Sequence, residues 1–281
     1  MLPFARAEFL DRLDNTKQAM EQRGIDVLLV ASEPNMNYLS GYDGYSAYVP
    51  QCLIVTAEEK EPTWIGRAQD EACARYSAFM ADERIVVYPE EYIGDPEHSP
   101  VAFIADFIAS RGWANRRLGV ELDSGELTAR DHAELQRRLP NAQFVDASLL
   151  VNGVRAVKSP QELGYMRQAG TISDSAMRIA IETIQEGVRQ CDAAAAVTAA
   201  LIRGTAEYGG GSPRKPPITM AAGVRSSAPH LTWTEAPFQP GEATNLELGG
   251  CRFRYYCGLS RTIVVGSPAP KLAALAPAVI E

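Results

Sequence analysis

Val157-Lys158-Ser159-Pro160-Gln161-Glu162-Leu163 divides this chain into two textures. A serine at the N-cap, a proline at the first helical position and a glutamate three residues past the serine form a capping box, so a helix starts at Pro160. Leu163, Met166, Ala169, Ile172, Ala176, Ile179 and Thr183 then recur every three or four residues, which predicts one buried face until Glu186-Gly187 ends the helix. An alanine-rich second helix is expected from Asp192 to about Arg203. After it, Tyr208-Gly209-Gly210-Gly211-Ser212-Pro213-Arg214-Lys215-Pro216-Pro217 has no periodicity and reads as a mobile, lid-like loop or as a plain connector. Strands return around Ile218 to Met220, Thr244 to Leu248, Arg252 to Tyr256 and Arg261 to Val265.

Towards the N-terminus the pattern alternates. An amphipathic run from Phe9 to Arg23 stops at Gly24 and is followed by the apolar run Val27-Leu28-Leu29-Val30, a helix end feeding a buried strand. Further strands are expected at Cys52 to Val55, Pro62 to Ile65, Arg84 to Tyr88, Leu118 to Glu121 and Phe144-Val145, with helices at about 68–78, 100–111 and 127–138. This is an α/β domain over residues 1–155 with a mixed sheet, and residues 156–281 form a second domain.

The chain has 281 residues, with 27 lysines and arginines against 35 acids, a formal net charge of −8. The acid excess argues against nucleic acid and anionic membranes as partners, because no basic stripe is available to neutralise phosphates. Small neutral or zwitterionic partners fit better. No stretch approaches the roughly 18 apolar residues of a membrane span, and the acids in the opening MLPFARAEFLDRLD leave no room for a signal-peptide core. A soluble cytoplasmic protein is expected. Cys52, Cys73, Cys191, Cys251 and Cys257 are odd in number and scattered, which reads as buried free thiols.

Three histidines are available. His98, in a turn-rich loop, and His132, in a charged helix, read as surface residues. His230 follows a proline among small residues shortly before Trp233; it is either structural or a proton-transfer group. Glu247, between Leu246 and Leu248, points opposite to two leucines. Its carboxylate faces solvent, or it needs a partner or ligand if that face is covered. It is the only acid between Ala243 and the terminal Glu281, and the neighbouring run Tyr255 to Thr262 adds phenol and guanidinium donors. Together these make an acid/base and anion-binding set.

Val157 to Leu163 with Met166-Arg167-Gln168-Ala169, then Ala228-Pro229-His230, then Tyr255 to Thr262, resemble the creatinase and aminopeptidase P family over essentially the whole chain. The resemblance implies an α/β N-terminal creatinase-like domain over 1–155. It also implies an α+β pita-bread catalytic domain over 156–281, apparently truncated to its first half and ending just inside a third helix. Pro34 to Ser46 and Ser227 to Trp233 look most like the ectoine-hydrolysing branch, which implies ectoine, a small zwitterionic cyclic amidine, as substrate. Metal-dependent members carry aspartates in Asp-x-Gly and Asp-x-Thr-Arg-Thr strings. Here those places read Glu247-Leu248-Gly249 and Gly258-Leu259-Ser260-Arg261-Thr262, so the resemblance implies neither a metal nor another cofactor.

In that reading His230 moves a proton at the ring nitrogen, while Glu247 attacks the amidine carbon or activates water. Tyr256 orients the ring, and Arg261 meets the substrate carboxylate or holds Glu247. Trp233 contributes to substrate binding. Asp43 and Tyr45, in the loop Tyr42 to Tyr45, close over the substrate, in the neighbouring subunit of a homodimer. The rivals are a creatinase-like amidinohydrolase, an X-Pro peptidase and a catalytically silent pita-bread module that only binds.

Overall fold

Gly24, in the left-handed region at φ 62°, ends the helix α1 (Arg6–Gln22) and turns the chain directly into the strand β1 (Val27–Val30). In the computed structural model, which describes residues 2–46, 48–95, 98–212 and 218–280, the chain divides into two units, Met1–Val157 and Lys158–Glu281.

The first unit continues with α2 (Glu33–Ser40), β2 (Cys52–Thr56), β3 (Thr63–Arg67), α3 (Glu71–Ser77), β4 (Ile85–Tyr88) and α4 (Pro100–Ser110). Then come β5 (Arg117–Val120), α5 (Ala129–Arg138), β6 (Gln143–Asp146) and α6 (Leu150–Val154). The six-stranded sheet has the order β4-β3-β2-β1-β5-β6, antiparallel where β2 meets β1 and β3 and parallel elsewhere, so it is mixed. Every residue of β1 and β2 is buried, as central strands covered on both faces require. On one face Leu29, Ile54, Ile65 and Leu118 pack with Ile104 and Ile108 of α4 and Leu135 of α5. Cys52 lies in this core, and burial pushes its thiol pKa up to about 12.

Helix α2 was not expected from periodicity. Its N-terminus is held by the buried carboxylate of Glu121, just after β5. Oε2 accepts from the backbone N–H groups of Ala31 and Ser32, both at 2.9 Å, and Oε1 accepts from Asn35 Nδ2 at 2.7 Å. A partner this distant in sequence leaves no local signal.

The second unit opens with α7 (Pro160–Thr183), whose capping box is complete: the Ser159 hydroxyl accepts from Glu162 N, and Glu162 Oε2 accepts from Ser159 N at 2.8 Å. There follow α8 (Gln190–Arg203), β7 (Ile218–Ala222), β8 (Ala243–Arg252), β9 (Tyr255–Val264) and α9 (Pro270–Ile280). The three strands pair antiparallel in sequence order. Leu246 and Leu248 of β8 and Ile218 and Met220 of β7 pack with Ile172, Ala176 and Ala180 of α7 and Val197 of α8. The helices thus cover one face of this sheet.

One expectation is corrected here. Arg252 to Tyr256 is not a strand; the chain reverses at Phe253-Arg254, with φ 47° and 67°, so a two-residue hairpin joins β8 to β9. Such a turn normally draws Asn-Gly, and each non-glycine residue in the left-handed region costs about 1–2 kcal/mol. Tertiary contacts offset that. Phe253 packs edge-on against Tyr165 with ring centroids 4.8 Å apart, the Arg252 guanidinium lies 4.1 Å over the Phe253 ring, and Arg254 Nη1 donates to the Ser212 carbonyl at 2.5 Å. In the segment read as a lid or connector, Gly211 N donates to the Cys251 carbonyl at 2.6 Å, while Pro213 to Pro217 lie outside the described residues.

Candidate functional site

Residues alternate faces along a strand, and directly opposed residues share one. In β8, Leu246 and Leu248 are buried under the helices while Glu247 between them is exposed. Glu247 therefore stands on the face the helices leave open. Its register partners are Thr219 on β7 and Ser260 on β9, and Gly249 and Gly258 face each other one step along the same face. Tyr256 belongs to that face too: a Cβ added at Gly249 would meet its Cδ1 at 3.6 Å, so the ring lies beside Gly249. An open pocket of about 450 Å³ is lined here by Thr219, Glu247, Gly258 and Ser260, with Ile218, Leu248 and Leu259. The hydroxyl partners Thr219 and Ser260 had no signal in the strand pattern, because only register brings them to the carboxylate.

Arg261 stands opposite Leu246, which is fully buried on the helix side. Its side chain leaves the sheet from the face opposite to Glu247, at the outer strand, and Nη1 donates to the Ser260 carbonyl at 2.7 Å. The expectation that Arg261 holds Glu247 is overturned by this register, and Arg261 does not line the pocket.

His230 is exposed, in a turn closed by Leu231 N donating to the Ala228 carbonyl at 3.1 Å. The loop around it is fastened on both sides. Upstream, Asn245, on the Glu247 face of β8, donates from Nδ2 to the Ser226 carbonyl at 2.7 Å and accepts from Thr262 Oγ1 at 3.0 Å. Downstream, Thr234 N donates to the buried Gln190 Oε1 at 3.0 Å, at the start of α8. The histidine loop is thus tied to the open face upstream and to the start of α8 downstream. Trp233 is half-buried against the apolar core of this unit. The other two histidines differ from one another: His98 is exposed beside Asp95, whereas His132 is half-buried, edge-on against Phe144 at 5.5 Å, and is not the plain surface residue expected.

Asp43 and Tyr45 belong to the first unit, in the loop after α2, and both side chains are exposed. Buried Tyr42 anchors the loop through its ring, 5.0 Å from that of Trp64. Gly44 folds against Tyr42 so closely that a Cβ there would come within 2.2 Å of the phenol oxygen. Beneath the loop, Ser46 hydrogen-bonds Asp70, and its N–H donates to the buried Glu33 at 3.4 Å. The tip is thereby held in shape with Asp43 and Tyr45 outward.

Among the described residues, no three His, Cys, Asp or Glu side chains converge to hold a metal ion. Glu247 is the one carboxylate in the pocket lining; Ser260 stands across from it and Gly258 supplies no side-chain oxygen. Among the described residues this lining offers fewer than the several hard oxygen ligands that a divalent cation takes.

Residues 12–157 match the family model of the creatinase/prolidase N-terminal domain, and residues 164–281 match that of metallopeptidase family M24. An uncharacterized hydrolase/peptidase of Sinorhizobium fredii is 43% identical over all of this chain, which spans 71% of that protein. The ectoine hydrolase of Halomonas elongata is 37% identical, again over all of this chain and 71% of its own length. Among solved structures, the prolidase from Thermococcus sibiricus superimposes with a TM-score of 0.79 at 18% identity, over 97% of this chain and 70% of that one.

Proposed function

This chain belongs to the creatinase/prolidase and M24 family of hydrolases, with a creatinase-like N-terminal domain followed by a pita-bread domain, and on that premise we propose that it opens the cyclic amidine ring of ectoine. The observation that carries this reading is Glu247, a carboxylate on an open strand face with the hydroxyl residues Thr219 and Ser260 as its register partners and, among the described residues, no second acid in the pocket lining. An anion so placed attracts an amidinium. The similarity to an ectoine hydrolase names a small zwitterion that bears one.

In the proposed reaction the Glu247 carboxylate holds the amidinium and either attacks the carbon between the two nitrogens or draws a proton from an attacking water. A tetrahedral carbon forms. His230 delivers a proton to the departing ring nitrogen and the C–N bond breaks; the water route gives N-acetyl-diaminobutyrate directly, whereas the covalent route leaves an imidate ester on Glu247 whose carbon one water then attacks, breaking the bond to the Glu247 oxygen and giving the same product. Tyr256 orients the ring from beside Gly249. Trp233 supports the histidine loop through the core, and Asp43 and Tyr45 close over the substrate from the neighbouring subunit. The reaction uses no metal and no cofactor, and the protein acts as a homodimer in the cytoplasm.

The test is incubation with ectoine followed by NMR detection of the ring-opened acetylated diamine, together with His230→Ala. That variant is expected to lose about 10²–10⁴-fold in turnover with its melting temperature unchanged, because a general acid contributes on that scale and an exposed histidine carries little stability. Urea release from creatine, or X-Pro dipeptide turnover, in place of ectoine opening would reassign the substrate. In Asp43→Ala and Tyr45→Ala, a raised KM at constant melting temperature would place that loop at the substrate.

A further inference from the structure

Gly249 and Gly258 oppose one another in the middle of the β8–β9 ladder, where glycine weakens a strand and contributes no packing. Two facing glycines there need a reason. Backbone conformation does not supply it, since neither has a positive φ. Crowding does not supply it either: a Cβ at Gly258 would meet nothing within 4 Å, and one at Gly249 would make ordinary contacts, 3.6 Å to Tyr256 Cδ1 and 3.9 Å to the Cys257 carbonyl. The fold tolerates side chains at both positions. A strand glycine required by neither conformation nor neighbours marks a place where something approaches the backbone closely.

We propose that the Gly249–Gly258 pair is a bare backbone floor on which the flat amidine of the substrate lies, and that Gly258 determines which substrates fit. Glu247 and Ser260 stand at one edge of this floor and the Tyr256 ring lies beside it, on the same face. Gly258 itself lines the pocket, so a methyl there projects into the space beside the carboxylate. It would lift the flat amidine off the sheet and away from Glu247. The assignment rests on the cyclic-amidine reading of the site and adds to it a steric rule: a flat amidine is accepted on the bare floor, and any side chain at Gly258 excludes it.

The experiment compares wild type, Gly258→Ala and Gly258→Val by thermal melting, ectoine binding in a calorimeter and steady-state turnover. Stability and function are expected to move in opposite directions. Melting temperature stays level or rises from glycine to alanine to valine, because strands favour the branched side chain. Ectoine affinity falls at least about tenfold with alanine and further with valine, the scale of one misplaced methyl in a fitted pocket. Variants that bind and turn over ectoine like wild type overturn the role of Gly258 while leaving the reading of the site intact. Variants that lose binding only in proportion to a fall in melting temperature also overturn it, by making the glycine structural. A wild-type chain that binds no ectoine removes the reading itself and this assignment with it.

Discussion

With the hydroxyl residues Thr219 and Ser260 as its register partners and Arg261 on the reverse of the sheet, Glu247 carries its charge on an open strand face. Glu247→Gln is therefore expected to change unfolding free energy by less than about 0.5 kcal/mol, as for other exposed positions. Turnover of ectoine should fall by about 10²-fold or more. A urea melt and an activity assay on the same sample check both; a drop of several kcal/mol would mean a buried ionic partner that the register denies. Glu121 is the opposite kind of carboxylate: burial pushes its pKa up, and hydrogen bonds from Ser32, Asn35 and Ala31 only partly pull it back. The folded state then holds its proton more tightly than the unfolded chain does. This contribution to stability is complete below about pH 4.3, the ordinary glutamate value, and is lost as pH rises through the raised one. Urea melts across that window should show the slope in wild type and its loss in Glu121→Gln. Glu247 was legible as a candidate because it interrupts two leucines. Which side chains face it was not, since a one-residue change of register exchanges every partner.

The β8–β9 hairpin holds two left-handed residues at its tip and a bolt just beside them. Tyr255 Oη donates to Glu162 Oε1 at 2.7 Å, on the carboxylate that also caps α7. Removing that hydroxyl in Tyr255→Phe should cost about 1.5–3 kcal/mol, the usual worth of a hydrogen bond to a charged group. It should also speed amide exchange at the start of β9, where Tyr256 sits; unchanged exchange would show that the tip contacts of Phe253 suffice without it. The elements most readable beforehand were those with local instructions, such as the Ser159 box of α7 and the glycine after α1. The hairpin was not, because Phe253-Arg254 has no turn chemistry of its own and its reversal is met by contacts to Tyr165 and Ser212, far away in sequence. Helix α2 failed to show for the same reason, its cap being a glutamate from beyond β5.

At the level of the whole molecule, each unit closes its own apolar core, and the change of texture at Ser159 announces the second before any contact is known. Its pocket lining carries one carboxylate, Glu247, and the reaction proposed for it needs no metal. Elemental analysis of the purified protein is expected to find less than stoichiometric Mn, Fe or Zn, and ectoine turnover should survive chelator; one tightly held ion per chain with chelator-sensitive activity would refute this. The five cysteines add a consequence of another kind. At pH 7 only about one Cys52 thiol in 10⁵ is ionised while the sheet is closed, given a pKa pushed up to about 12, and burial keeps reagents away from it. Cys73, by contrast, is open to the solvent. A pulse of maleimide read residue by residue will therefore find Cys73 tagged at once, Cys191 and Cys257 of the second unit tagged according to their partial exposure, and Cys52 tagged only during the moments when the central strands part, which makes the Cys52 tag a stopwatch for the opening of the N-terminal unit.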